Sequence, residues 1–220
     1  MKRGNRAREV GSPRLDAAGF VSRRTLLGAT GLAAGVTALL TAGQTVAPLA
    51  PLAAFAPRDR DPGPQGLPVN RTSAQAGVAR AATDPRWRLV VAVPGSGDRP
   101  AELSRAELEA LTQTDAELPI ACVEGWSATG AWTGPTIAAV LGHVGAPTGT
   151  DLHVTSLEPH GAYRSMTMPA VYAADPLTLV ALRLGGEPLH LEHGYPARVI
   201  APGRPGVLQT KWLSGIEVLA

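Results

Sequence analysis

Leu118-Pro-Ile-Ala-Cys-Val-Glu-Gly-Trp-Ser127 carries the only cysteine of the chain, Cys122, at the end of an apolar run that breaks at Gly125. Residues 118–124 read as a short buried strand, because a run of this length bounded by a glycine turn is too short for a helix. One cysteine forms no internal disulfide. A thiol at a strand end is either inert core or the face shown to a ligand. In the second case a thiolate is the soft donor that a redox metal takes.

Working outward, residues 87–93 (Trp-Arg-Leu-Val-Val-Ala-Val) form a strand pattern. Ser104-Arg-Ala-Glu107 has the spacing of a capping box and opens a short helix to about residue 113. Downstream, Thr133-Gly-Pro135 opens a second helix whose apolar face is Ile137, Val140, Leu141 and Val144, with Gly145 ending it. Residues 151–157 alternate as a strand, and 163–168, 178–184, 197–201 and 212–219 follow as further short strands. Turns rather than helical crossovers join them. The expected class is therefore α+β, mixed and mainly antiparallel β-rich with a few short helices.

Charge is unevenly spread over the 220 residues. Residues 1–24 hold seven basic and two acidic side chains, a net of +5, and the remainder holds 13 basic and 16 acidic, a net of −3. The basic balance thus belongs to an N-terminal arm, and the acidic remainder argues against a nucleic-acid partner.

Ser22-Arg23-Arg24-Thr25-Leu26-Leu27 places two arginines directly before 33 uncharged residues, 25–57. The pattern resembles a twin-arginine export signal, and it also fits a membrane anchor with basic flanks. Both leave the arm in the cytoplasm and the rest outside. Ala54-Phe55-Ala56 has a cleavage-like spacing, but Pro57 follows it, so the expectation is a retained anchor. Residues 25–43 are near the length that spans a bilayer. The expected organisation is a basic arm (1–24), an export signal or anchor (25–57), a linker (58–83) and a folded domain (84–220).

Four segments carry a family resemblance. They are Cys122-Val-Glu-Gly-Trp-Ser127 with Trp132-Thr-Gly134, the polar stretch 156–163, Glu192-His-Gly-Tyr-Pro-Ala-Arg-Val-Ile-Ala-Pro202, and Gly206-Val-Leu-Gln-Thr-Lys-Trp-Leu-Ser-Gly-Ile-Glu-Val218. In this order and spacing the chain resembles the molybdopterin-binding domain of the sulfite oxidase family. Within it, the chain is most similar to small exported bacterial members, which include methionine-sulfoxide reductase catalytic subunits. The resemblance implies a molybdenum–molybdopterin cofactor, with Cys122 as the protein's thiolate ligand. It implies that Arg198 contacts the cofactor phosphate and that Gln209, Thr210 and Lys211 bind pterin and phosphate. It places His193 at a cofactor-contacting position. Asn70, in Pro68-Val-Asn-Arg-Thr72, resembles an N-terminal cofactor-contacting segment, which would take residues 66–73 out of the linker.

Each position also has a plain structural reading. Arg198 sits inside an apolar strand pattern and is either edge-exposed or bound to an anion, since arginine is rarely buried unpaired. Lys211 is one of two lysines in an arginine-biased chain, and is either chosen for its compact charge or solvated. His193 is either ligand-contacting or a satisfied loop histidine. His143 reads as structural on a helix, His153 lies in a strand and His190 in a turn, and no histidine pair has metal-ligand spacing that points to zinc. Tyr163, His160 and Arg164 are the candidates for a substrate pocket, and Glu158 beside them counts against an anion such as sulfite. No haem-attachment motif occurs, so a separate electron-transfer partner is expected. The chain ends just after the last strand, and a monomer is expected. The leading expectation is a molybdenum oxidoreductase moving an oxygen atom or two electrons at a small sulfur-oxide-type substrate. A cofactor-free, membrane-tethered binding module of the same fold is the alternative, and a thiol-dependent hydrolase is third.

Overall fold

The alternation in Arg88–Ala92 (β1) buries Leu89 and Val91 and leaves Val90 on the other face. That period is what a half-buried strand requires. In the computed structural model, residues 62–93, 95, 99–122 and 126–219 are described. They all belong to the unit Pro57–Ala220. The basic arm and the apolar segment 25–57 lie outside the described residues. No helix among the described residues is long and apolar enough to cross a membrane.

β1 pairs antiparallel with β2 (Ala101–Ser104) and parallel with β11 (Leu213–Val218). β11 pairs antiparallel with β5 (Leu152–Ser156), which pairs antiparallel with β6 (Ser165–Met168). The order is β2-β1-β11-β5-β6. A second sheet is built from β3 (Thr114–Ala121), β4 (Ser127–Gly134), β8 (Arg183–Leu184) and β9 (Glu187–Pro188). Its pairs are all antiparallel. A ribbon of β7 (Leu179–Ala181) and β10 (Arg198–Ile200) completes the strands.

The ribbon is buried throughout because it sits between two cores. Val180 and Val199 pack with Leu89, Leu141 and Ile216 in one cluster. Leu179, Ala181 and Ile200 pack with Leu118, Ile120 and Trp132 in the other. A strand covered on both faces reads as a continuous apolar run. The architecture is the expected α+β class, mostly antiparallel with a few short helices.

Three local expectations are corrected. Thr133-Gly-Pro135 does not open the second helix. β4 runs on through Gly134, Thr136 caps the helix by accepting from Ala139 N at 3.0 Å, and the helix spans Ile137–His143. The reason is tertiary: a Cβ at Gly134 would lie 2.1 Å from the Val180 carbonyl, so the strand passes flush against the ribbon. Residues 178–184 form two strands in different sheets, β7 and β8, divided at Leu182, whose N–H donates to Thr133 O at 2.8 Å. The stretch read as a linker carries two helical turns, Ser73–Ala76 and Ala79–Ala82. Thr72 and Gln75 close a capping box at the first. Ala76, Val78 and Ala82 pack on the fully buried Trp212, just ahead of β11.

Candidate active site

The end of β3, the start of β10, the loop entering β11 and the segment before the first helical turn converge on one cleft. It has about 760 Å³ of space, including its mouth. Cys122, Asn70, His193, Arg198, Gln209, Thr210 and Lys211 all line it. Seven residues from four separate stretches of sequence are thus brought together by the fold.

Cys122 is 9% exposed, and its N–H closes the loop after β3 by donating to Trp126 O at 2.8 Å. Asn70 points its Nδ2 at Cys122 Sγ, 3.9 Å away. Against the end of β3, Gly206 is a required glycine: an added Cβ would lie 2.8 Å from Ile120 Cγ2 and 2.9 Å from Ala121 O. The backbone at residue 206 can approach Ile120 and Ala121 only without a side chain there.

Arg198 resolves the choice between edge and interior. It is 4% exposed, stacked over Trp132 at 5.0 Å, and donates to the carbonyls of His193 (3.1 Å) and Gln209 (3.4 Å). Burial pulls its guanidinium down to about 9, still charged at neutral pH. Lys211 Nζ donates to Arg71 O at 2.6 Å and Glu192 O at 3.1 Å. Burial, aided by the Arg198 charge, brings its ammonium down to about 7. His193 is buried and shares a short hydrogen bond between Nε2 and Pro64 O. Burial holds it neutral, with a pKa of about 4, against the opposing pull of that carbonyl. Among the described residues, neither Arg198 nor Lys211 has a carboxylate within 4 Å.

Several buried polar atoms of lining residues have no hydrogen-bond partner: Arg198 Nε, Arg71 Nε, Trp126 Nε1, Gln209 Oε1 and Thr210 Oγ1. Each such atom costs about 1–3 kcal/mol when left unpaired. Native proteins keep few of them, so their concentration around one cleft marks a place built for a polar ligand.

The substrate candidates divide. Tyr163 lines the cleft and is 51% exposed. His160 and Arg164 are exposed and do not line it. Residues 161–164 close a surface turn, with Arg164 N donating to Gly161 O and Ser156 N to Arg164 O. That turn holds the two flanking residues on the outside. The sequence reading missed Arg71, Glu192 and Trp126 as lining residues. Arg71 pairs with Glu158 at 2.9 Å, and the Glu192 carboxylate accepts from Ser73 N and Oγ, both at 2.7 Å. The adjacency of Arg71 to Asn70 was the available signal for one of them. Nothing in the local sequence around Trp126 separates a cleft wall from core.

Among the described residues, no three of His, Cys, Asp and Glu come together as a metal-holding group. Among the described residues the cleft offers one soft donor, a buried and a half-buried cation without carboxylate partners, and a set of unpaired hydrogen-bonding groups. This fits a metal whose other ligands come from an anionic organic cofactor.

Three kinds of similarity agree with that geometry. Human mitochondrial sulfite oxidase is 29% identical over 141 residues, covering 61% of this chain and 24% of the relative. The protein-methionine-sulfoxide reductase catalytic subunit MsrP of Xanthomonas campestris is 34% identical over 135 residues, covering 55% of this chain and 42% of the relative. The chain therefore spans less than half the length of either. The sulfane dehydrogenase SoxCD of Paracoccus pantotrophus shares the fold at a TM-score of 0.53 and 21% identity, over 61% of this chain and 38% of that one. The family model "Oxidoreductase molybdopterin binding domain" matches residues 76–220, and the chain belongs to that family.

Proposed function

We propose that this protein is a molybdenum-cofactor-dependent oxidoreductase that removes an oxygen atom from a small, neutral sulfur oxide. The observation that carries the reading is the convergence of Cys122 with the buried Arg198 and the half-buried Lys211, two cations without carboxylate partners among the described residues. When bound, the cofactor supplies oxygen-atom transfer coupled to a two-electron change at the metal. Cys122 would be the metal's protein ligand. Arg198, with its planar fork, and Lys211, as a point charge, would hold the cofactor phosphate. Thr210 Oγ1, Gln209 Oε1 and Trp126 Nε1 would meet its polar edges, and Asn70 would steady the thiolate.

Charge favours a neutral substrate. With Arg198 and Lys211 committed to the cofactor, the remaining cation, Arg71, is matched by Glu158 at 2.9 Å. The wall left for a substrate is Leu67, Pro68, Ile120, Trp126, Tyr163 and Val207. Such a wall suits a thioether S-oxide better than the sulfite anion.

Export and tethering belong to the same proposal, supported by Arg23-Arg24, the +5 arm and the uncharged stretch 25–57. A separate electron-transfer partner is also part of it, supported by the MsrP relative being a catalytic subunit. The test is metal analysis of the purified protein, followed by turnover assays with methionine sulfoxide and with sulfite. We expect bound molybdenum and a preference for the sulfoxide. Molybdenum-loaded protein that oxidises sulfite and leaves the sulfoxide untouched contradicts the substrate assignment.

A further inference from the structure

One carboxyl in the cleft has no part in holding the cofactor. Glu158 follows β5, is 8% exposed and lines the cleft together with Tyr163. Its Oε2 lies 2.9 Å from Arg71 Nη2, and the Arg71 side chain is 39% exposed. The Glu158 N–H donates to Ser156 Oγ at 3.3 Å, and Ser156 Oγ donates to Lys211 O at 2.8 Å. The residue is therefore tied to the cofactor-side loop at its backbone and to a solvent-contacting cation at its carboxyl.

Two charged groups act on it: Arg71, from the segment before the first helical turn, and Lys211, from the loop before β11. Both favour the carboxylate. Burial outweighs them, so the carboxyl takes up a proton more readily than an ordinary glutamate. A proton carrier needs this combination of a poised carboxyl, a route to solvent and a place on the reaction cleft.

We propose that Glu158 is the proton-transfer residue of the cleft, carrying protons from solvent to the oxygen atom removed from the substrate. The inference rests on the S-oxide reading above. In that reaction one sulfoxide, two electrons and two protons give one thioether and one water. One S–O bond breaks and two O–H bonds form. Sulfur is reduced, and the two electrons come from a reduced electron-transfer protein. Glu158 gives one proton to the oxygen, is reprotonated from water at the mouth beside Arg71, and gives the second.

The test compares wild type with Glu158→Gln as full-length, molybdenum-loaded protein. Reduced viologen is the donor and methionine sulfoxide the acceptor. Rates are followed against pH, alongside molybdenum content and an infrared titration of the carboxyl stretch. We expect kcat to fall about 10²-fold, as for loss of a positioned proton donor, with KM and molybdenum content unchanged. The alkaline limb of the wild-type profile, where Glu158 loses its proton, should disappear. A variant with wild-type kcat and an intact alkaline limb overturns the proposal. A rate that falls only in step with lost molybdenum also overturns it, because Glu158 is then merely the structural partner of Arg71. Loaded wild-type protein that reduces no sulfoxide contradicts the substrate reading instead. The infrared titration then decides the role of Glu158. A carboxyl that titrates above the ordinary glutamate range and vanishes in Glu158→Gln keeps Glu158 as the proton-holding group of the cleft with a different acceptor, and its absence overturns the proposal.

Discussion

Lys211 Nζ donates to the carbonyl of Arg71 at 2.6 Å, joining positions 140 residues apart. The bond ties the segment that carries Asn70 to the loop that enters β11. Both sides of the cleft thus depend on one ammonium group. Lys211→Met removes the charge and leaves the Arg71 and Glu192 carbonyls without that donor. We expect cofactor retention to weaken by about 1.5–3 kcal/mol, the range for a hydrogen bond to a charged group. Molybdenum content after dialysis measures this.

The same lysine gives a pH signature. Its pKa is lowered from 10.5 to about 7 in the ligand-free fold. Between those values the unfolded chain holds a proton that the folded chain lacks, so this contribution to stability rises with pH across that window. An anion bound beside Lys211 raises its pKa again, so the complex holds more protons than the free protein. Sulfate affinity of cofactor-free protein should therefore fall as pH rises through about 7, and Lys211→Arg should flatten the dependence. Calorimetric titration at several pH values measures it.

Arg198→Ala should damage both fold and site. It removes a buried side chain stacked on Trp132 and frees the His193 and Gln209 carbonyls. A loss on the order of 2 kcal/mol in stability is expected, together with lower molybdenum content. Arg198→Lys keeps the charge without the fork, and should recover less of the cofactor than of the thermal stability. Thermal melts beside metal analysis of both variants check this.

Trp212→Ala should release the two helical turns after residue 72. Trp212 is fully buried against Ala76, Val78 and Ala82, and its Nε1 donates to Leu191 O at 2.7 Å. The expected cost is about 3–5 kcal/mol. Limited proteolysis should then cut between residues 62 and 83 faster than in wild type.

That Cys122, Arg198 and residues 209–211 would meet in one cleft was legible because they lie in continuous motifs. Cys122 directly follows β3, which ends at Ala121 and alternates in burial where a fully buried strand over 118–124 was expected, Arg198 opens β10, and Gln209 to Lys211 lead into β11. Asn70 was legible only as part of a short local pattern, and the helical turns around it were not. Each turn is four residues long and owes its stability to a tryptophan some 130 positions away. β4 was missed because Ser127-Ala-Thr-Gly-Ala131 is poor in β-branched and aromatic residues. It forms through its pairing with β3 and a flush contact with the ribbon. The Arg71–Glu158 pair was invisible for the same reason: nothing local links two partners so far apart in the chain. His160 and Arg164 do not line the cleft as Tyr163 does, because sequence proximity does not say which residues of a turn face inward.

The most direct test is metal content and turnover of Cys122→Ser beside wild type. The hydroxyl is a poor substitute for the thiolate that tunes the metal. The account predicts stoichiometric molybdenum in wild type, and in the variant an unchanged fold by circular dichroism with turnover abolished. Wild-type-level activity in Cys122→Ser, or purified wild-type protein that takes up no molybdenum when the cofactor is supplied, contradicts it.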